Sequence, residues 1–219
     1  METNHLSLGD KVYETVLAEL ITLKVLPGSK ISVDALARQL GVSQTPVRAA
    51  LIRLEAEGLV VKTHNVGYSA ADMPARKRFE EMHEMRLLLE PYMVALACER
   101  MSDEQRRYLS DLSNRIEIST KKHDSTAYGH FAKHDAEFHA WIAQQAGNEL
   151  MAETLARLHA HMHVFRLCFR TSVTQQAREE HNLIISALVN GDAQTATDAM
   201  REHILKSWER MSALLSDFN

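Results

Sequence analysis

The chain has 219 residues, 45% apolar, 25% charged and only 6% aromatic, with a formal net charge of −4. This composition excludes collagenous, low-complexity and disordered chains, and the apolar run Met93–Cys98 falls far short of the roughly 20 residues a membrane helix needs. The opening Met-Glu-Thr-Asn-His lacks a secretory signal, and Cys98 and Cys168, outside any CxxC pattern, read as buried free thiols, so a soluble, cytoplasmic, mainly α protein is expected.

In chain order, Tyr13, Val16, Leu17 and Leu20 recur at helical spacing and predict a helix over 7–24. Leu26-Pro27-Gly28-Ser29 is a turn. Ser32 caps a second helix with Leu36, Ala37 and Leu40 inward, stopped by Gly41. Ser43 caps a third, with Pro46 tolerated in its first turn and Val47, Ala50, Leu51 and Leu54 inward, ending at Gly58. Leu59–Lys62 and Tyr68–Ala70 then flank a His64-Asn65-Val66-Gly67 turn and predict a short hairpin.

After Asp72-Met73-Pro74 the pattern changes to long amphipathic runs with few breakers. Two domains are expected, 1–73 and 74–219. Helices are predicted near 74–99, 103–119, 125–145, 149–170, 174–190 and 192–215. Pro91 implies a kink rather than an end, because apolar spacing continues through Met93, Val94 and Leu96.

Leu36 to Ser43, followed by Val47 and Leu51, is a helix-turn-helix pattern. Ala37 lets two helices cross closely, Gly41 takes a left-handed turn, and Val47 locks the second helix. Ser43, Gln44 and Thr45 then crowd the exposed N-terminal end, with Arg48 outward one turn later. Hydroxyls and helix N–H groups suit phosphates, Arg48 suits guanine or phosphate, and Gln44 can pair with adenine. A plain αα-hairpin with a solvated outer face has the same spacing. Charge does not separate the two, since residues 1–73 are themselves slightly acidic.

The stretches Leu26-Pro27-Gly28, Leu36–Ser43, Thr45-Pro46-Val47-Arg48 and Leu54-Glu55-Ala56-Glu57-Gly58-Leu59-Val60 resemble the winged helix-turn-helix of the GntR family of bacterial transcription regulators. The resemblance implies that the third helix enters the major groove of a double-stranded DNA operator and that the hairpin tip at Gly67 approaches the minor groove. Gln44 stands where the family usually has Arg, and Ala49 where Glu is common, which implies a different base preference.

Ten of the twelve histidines lie in the second part. On the 125–145 helix Phe131, Phe138 and Ile142 define an inner face that also carries Asp135, a costly placement for a carboxylate without a cation or metal. His139 follows at i+4, the spacing that lets two side chains share an ion. His181 borders the stripe of Ile184 and Leu188, and His203 shares a face with Met200, Ile204 and Ser207. Asp plus three His suits zinc, nickel or manganese; a hydrogen-bonded buried polar cluster is the alternative. His130 with His134 and His159 with His163 are competing i,i+4 pairs, and one of His159, His161 and His163 can add to the pocket.

Arg86-Leu87-Leu88-Leu89-Glu90, Asp135–His139, Ala146-Gly147-Asn148, Glu180-His181 and Met200-Arg201-Glu202-His203 resemble the helical FCD effector domain of the FadR-type branch, in its six-helix, VanR-like version. Metal-binding members of that branch use an Asp and a His four apart plus two later His. The resemblance therefore implies a divalent ion, zinc first, on Asp135, His139, His181 and His203. It also implies a small carboxylate effector, other than acyl-CoA, paired with Arg86; a surface ion pair with Glu90 is the other reading of Arg86. Arg166 and Arg170 are weaker candidates. The expected protein is a homodimeric regulator, a repressor, with no membrane partner and no catalytic residues. A metal-responsive regulator and a metal-dependent hydrolase are the competing readings, the latter disfavoured by the lack of a nucleophile elbow or HExxH.

Overall fold

The computed structural model describes residues 7–110, 125–168 and 173–215. The distal part of the helix expected to 119, His123 and Arg170 lie outside the described residues.

Helix α1 (Leu8–Ile21) starts at Ser7, whose hydroxyl accepts the Asp10 N–H, and buries Val12, Tyr13, Val16, Leu17, Leu20 and Ile21. Helix α2 (Val33–Leu40) is capped by Ser32, which accepts from the Ala35 N–H, and stops where Gly41 takes φ +66°. Helix α3 (Gln44–Ala56) buries Val47, Ala50, Leu51 and Leu54 against α1.

Ser43 occupies the N-cap position of α3, but its side chain makes no cap hydrogen bond. The residue three positions on is Pro46, which has no N–H for the hydroxyl to accept. The expected Ser43 side-chain cap is therefore absent.

Strands β2 (Val60–Thr63) and β3 (Gly67–Ala70) form the expected hairpin, in register from Val60↔Ala70 to Thr63↔Gly67. A third strand, β1 (Lys30–Ile31), which the sequence did not suggest, adds to the far side of β3 and gives the antiparallel order β1-β3-β2. Two residues are too few to show a periodicity; Ile31 is buried opposite Tyr68.

The remainder is helical: α4 (Arg76–Arg100), α5 (described over 103–110), α6 (Ser125–Gln145), α7 (Glu149–Leu158), α8 (Ala160–Cys168), α9 (Val173–Asn190) and α10 (Ala193–Leu215). Helix α4 runs unbroken through Pro91. The single helix expected over 149–170 is instead two. His159 adopts the left-handed conformation at φ 49° and ends α7, a break that no Gly or Pro announces. Helix α10 packs along α4 and α9, and α6 crosses α4.

One continuous buried cluster joins Val16 and Leu51 of the winged half to Phe79, Phe131, Ile184 and Met211 of the helical half. Full burial of each large apolar side chain stabilises by about 1.5–3 kcal/mol, so the two halves share a core. Three contacts set their spacing. Gly129 of α6 lies against the Ala18 backbone, where a Cβ would come within 3.0 Å of Ala18 Cα. Gly58, at φ +73°, faces the His159 ring. Arg166, fully buried, donates from Nη2 to the Ala71 carbonyl over 2.8 Å. Arg166, a weaker candidate for the effector, is thus packed between the halves.

Candidate metal centre and nucleic-acid interface

Asp135 and His139 share the buried face of α6 with Phe131, Phe138 and Ile142. His181 comes from α9 beside Ile184 and Leu188, and His203 from α10 beside Met200, Ile204 and Ser207. The four side chains converge from three helices: one ligand-type atom from each lies within 4.8 Å of those of the other three. All four residues are buried, and the rings of His139 and His203 stack with centroids 5.2 Å apart.

The electrostatics of the cluster suit a cation. Burial pushes the imidazoles of His139, His181 and His203 below their ordinary range, so they are held as neutral, electron-pair-donating rings. Burial opposes ionisation of Asp135, but the hydrogen bond from His161 and the neighbouring His139 and His181 outweigh it and keep a carboxylate. Among the described residues the buried Nε2 of His139 and both ring nitrogens of His181 have no hydrogen-bond partner. Orphaned buried polar atoms are costly, and a bound divalent ion would take up one nitrogen of each ring. The donor set, one carboxylate oxygen and three imidazole nitrogens, fits zinc and its neighbours.

A second layer surrounds these four. His203 Nδ1 donates to Glu180 Oε2 over 2.7 Å, and Arg210 holds the same carboxylate with Nη1 at 2.6 Å and Nη2 at 2.9 Å. The tautomer so fixed leaves His203 Nε2 as the donor atom. His139 Nδ1 lies 2.5 Å from Glu90 Oε2. Glu90 Oε1 is 2.5 Å from Arg86 Nε. Although burial disfavours its charge, Arg86 and His139 hold the Glu90 carboxyl well below the usual carboxylate range.

Arg86 therefore makes the ion pair with Glu90, but the pair is buried rather than on the surface. Its Nη2 has no hydrogen-bond partner among the described residues, and the residue lines a void of about 20 Å³ together with Asp135, His161, His203 and Arg210. Of the three histidines around the α7–α8 break, His161 joins the site: Nδ1 is 3.1 Å from Asp135 Oδ2, and its ring stacks on His139 at 4.1 Å. Glu90, His139 and His161 form an overlapping triad. His130 and His134 lie outside the cluster, facing Glu14 and Glu137.

Sequence reasoning missed Glu90, Glu180 and Arg210 as supports of the site. Arg210 follows His203 by seven residues, two helical turns along one face, and that spacing was the available signal. Glu180 directly precedes His181 and offered none.

In the winged half, Ser43, Gln44, Thr45 and Arg48 are all exposed at the N-terminal end of α3. Gln44 Nε2 donates to Asp34 Oδ1 at 2.5 Å, and Arg48 Nη2 donates to Gln44 Oε1 at 3.2 Å. The open first-turn N–H groups and this polar relay present donors at one helix end. Gly67, at φ +110°, sits exposed at the hairpin tip beside exposed Val66. Among the described residues no helix is long and apolar enough to cross a membrane.

Residues 8–69 match the family "Bacterial regulatory proteins, gntR family", and residues 81–206 match the FCD domain. The Nta operon transcriptional regulator of Aminobacter aminovorans is 30% identical over 193 residues, covering 86% of this chain and 87% of that protein. The transcriptional repressor GlaR of Escherichia coli is 23% identical over 205 residues, covering 88% and 90%. The structure of E. coli McbR/YncC has the same fold, with a TM-score of 0.68 at 21% identity over 98% of this chain and 100% of that one. These relatives are transcription regulators rather than enzymes.

Proposed function

Because the chain belongs to the GntR family of DNA-binding transcription regulators and carries that family's FCD domain, we propose that it is a homodimeric, cytoplasmic repressor. In this reading a small organic acid, bound at a metal-containing pocket in residues 74–219, controls operator binding by residues 1–73. The observation that carries the reading is the convergence of Asp135, His139, His181 and His203 from three helices with orphaned imidazole nitrogens between them. The naming of GlaR as a repressor supports the direction of control.

Asp135, His139, His181 and His203 would hold the ion, which supplies a positive centre for a carboxylate. Glu180 and Arg210 orient His203, and Glu90 places His139. Arg86 keeps Nη2 as a second anchor for the acid. On the DNA side, the α3 N-terminus carrying Ser43, Gln44, Thr45 and Arg48 faces the major groove, with Gly67 near the minor groove. Two-fold symmetry of the dimer demands a near-palindromic operator. Asp72-Met73-Pro74 is the hinge. The acid relieves repression by binding the DNA-incompetent arrangement more tightly, since equal affinity shifts nothing.

One observation favours a second reading in which the ion itself is the signal. The void beside the cluster, about 20 Å³, has room for no more than a water-sized molecule, so an organic acid enters only if the surrounding side chains move outward.

The test uses operator fragments selected from genomic DNA by the full chain, followed by anisotropy titrations of stripped protein, zinc-loaded protein, and zinc-loaded protein with acetate, pyruvate or citrate. Release by a carboxylate only in the zinc-loaded form supports the first reading. Affinity that follows zinc alone supports the second. Affinity indifferent to both defeats the metal-controlled mechanism.

A further inference from the structure

Between the C-terminal end of α3 and the corner formed by α6, α7 and α8 lies a cleft of about 500 Å³. We propose that this cleft is a second ligand site, separate from the histidine cluster, for a compact organic cation with an apolar body. The inference goes beyond the acid-and-metal reading and does not depend on it.

The volume falls within the range of small-molecule sites, which favour domain interfaces and mostly apolar walls. Here the winged half contributes Ala56 and Glu57, and the helical half contributes methyl walls such as Ala140 and Ala156. The charges are one-sided: Glu57, Glu149 and Glu153 line the cleft, and among the described residues no lysine or arginine does. Glu153 is paired with Arg157 on the outer surface. Glu57 is the half-buried one whose carboxylate belongs to the winged half. Its two oxygens lie 2.9 and 2.8 Å from the single Tyr13 hydroxyl, which has one proton to give, while nearby Arg53 and Lys133 pair with Asp10 and Glu14. The Glu57 carboxylate thus keeps acceptor capacity beside an apolar space. This arrangement attracts an ammonium group and repels a carboxylate.

The place of the cleft gives its occupant leverage. A ligand seated there touches the C-terminal end of α3 and helix α6, which carries Asp135 and His139. His161, which reaches Asp135, forms part of the same wall. Occupancy therefore bears on how the winged half sits against the helical half.

The test is calorimetric titration of the full chain with 2-naphthylmethylamine and with 2-naphthoate, which share the apolar ring and differ in charge. The ammonium is expected to bind at least about tenfold more tightly. Ala140→Phe and Ala156→Phe, both at exposed helix positions, are each expected to weaken it by about tenfold or more with unchanged circular dichroism and thermal midpoint. Chelation leaves the binding intact, which separates its failure from failure of the metal reading. No binding of the ammonium, equal binding of the carboxylate, or binding indifferent to both Phe variants overturns the proposal. Loss of self-association in those variants, read by sedimentation, also overturns it and assigns the cleft to a second copy of the chain.

Discussion

His203 and Glu180 stand 2.7 Å apart, Nδ1 donating to Oε2, and Arg210 grips the same carboxylate with two nitrogens. Such outer partners fix ring tautomer and raise ligand basicity. Glu180→Gln is expected to weaken zinc binding by about 10–100-fold while leaving the stoichiometry at saturation unchanged. Competition with a chromophoric chelator measures it.

The approach of Gly58 to His159 sets the contact between the two halves. At φ +73° a Cβ on residue 58 would come within 2.6 Å of the His159 ring. Gly58→Ala is expected to destabilise by about 1–3 kcal/mol, read from urea unfolding. Adding His159→Ala should recover the steric share and leave the backbone share, so the two effects will not add.

His163 provides a pH prediction. Burial, reinforced by Arg166 and His159, pushes its imidazole down to about 4. The unfolded ring takes up a proton near pH 6.5, whereas the folded one stays neutral until about pH 4. Its contribution is therefore fully retained above the unfolded value and lost as pH falls from 6.5 towards 4. Between pH 7 and pH 5 the wild type should lose about 2 kcal/mol more stability than His163→Leu, measured as urea midpoints at the two pH values.

Arg48 projects from the exposed face of α3 and hydrogen-bonds to Gln44. Arg48→Ala is expected to weaken operator binding by about 1–3 kcal/mol without moving the thermal midpoint. Anisotropy at two salt concentrations checks both the loss and a shallower salt slope.

The residues legible in the sequence were those whose role is written in local spacing. Ser32 with Gly41 bounded α2, and the Val47–Leu54 stripe fixed which face of α3 is buried, so Arg48 could be placed outward. Asp135 and His139 were legible because a polar pair at i+4 interrupts an apolar face, and His181 and His203 because each borders a stripe. What the sequence withheld is tertiary. Glu90 looks like a partner for Arg86 until the fold brings His139 to its other oxygen. The break at His159 carries no breaker residue, only a left-handed turn stabilised by packing on Gly58. Strand β1 exists because β3 offers an edge, not because Lys30 and Ile31 show a pattern.

The central claim is that Asp135, His139, His181 and His203 together hold one divalent ion. The most direct test is native mass spectrometry of the full chain after zinc loading and dialysis, beside Asp135→Ala and His203→Ala. The account predicts one zinc per wild-type chain and a clear loss of occupancy in both variants. No retained ion in the wild type, or undiminished occupancy in both variants, would contradict it.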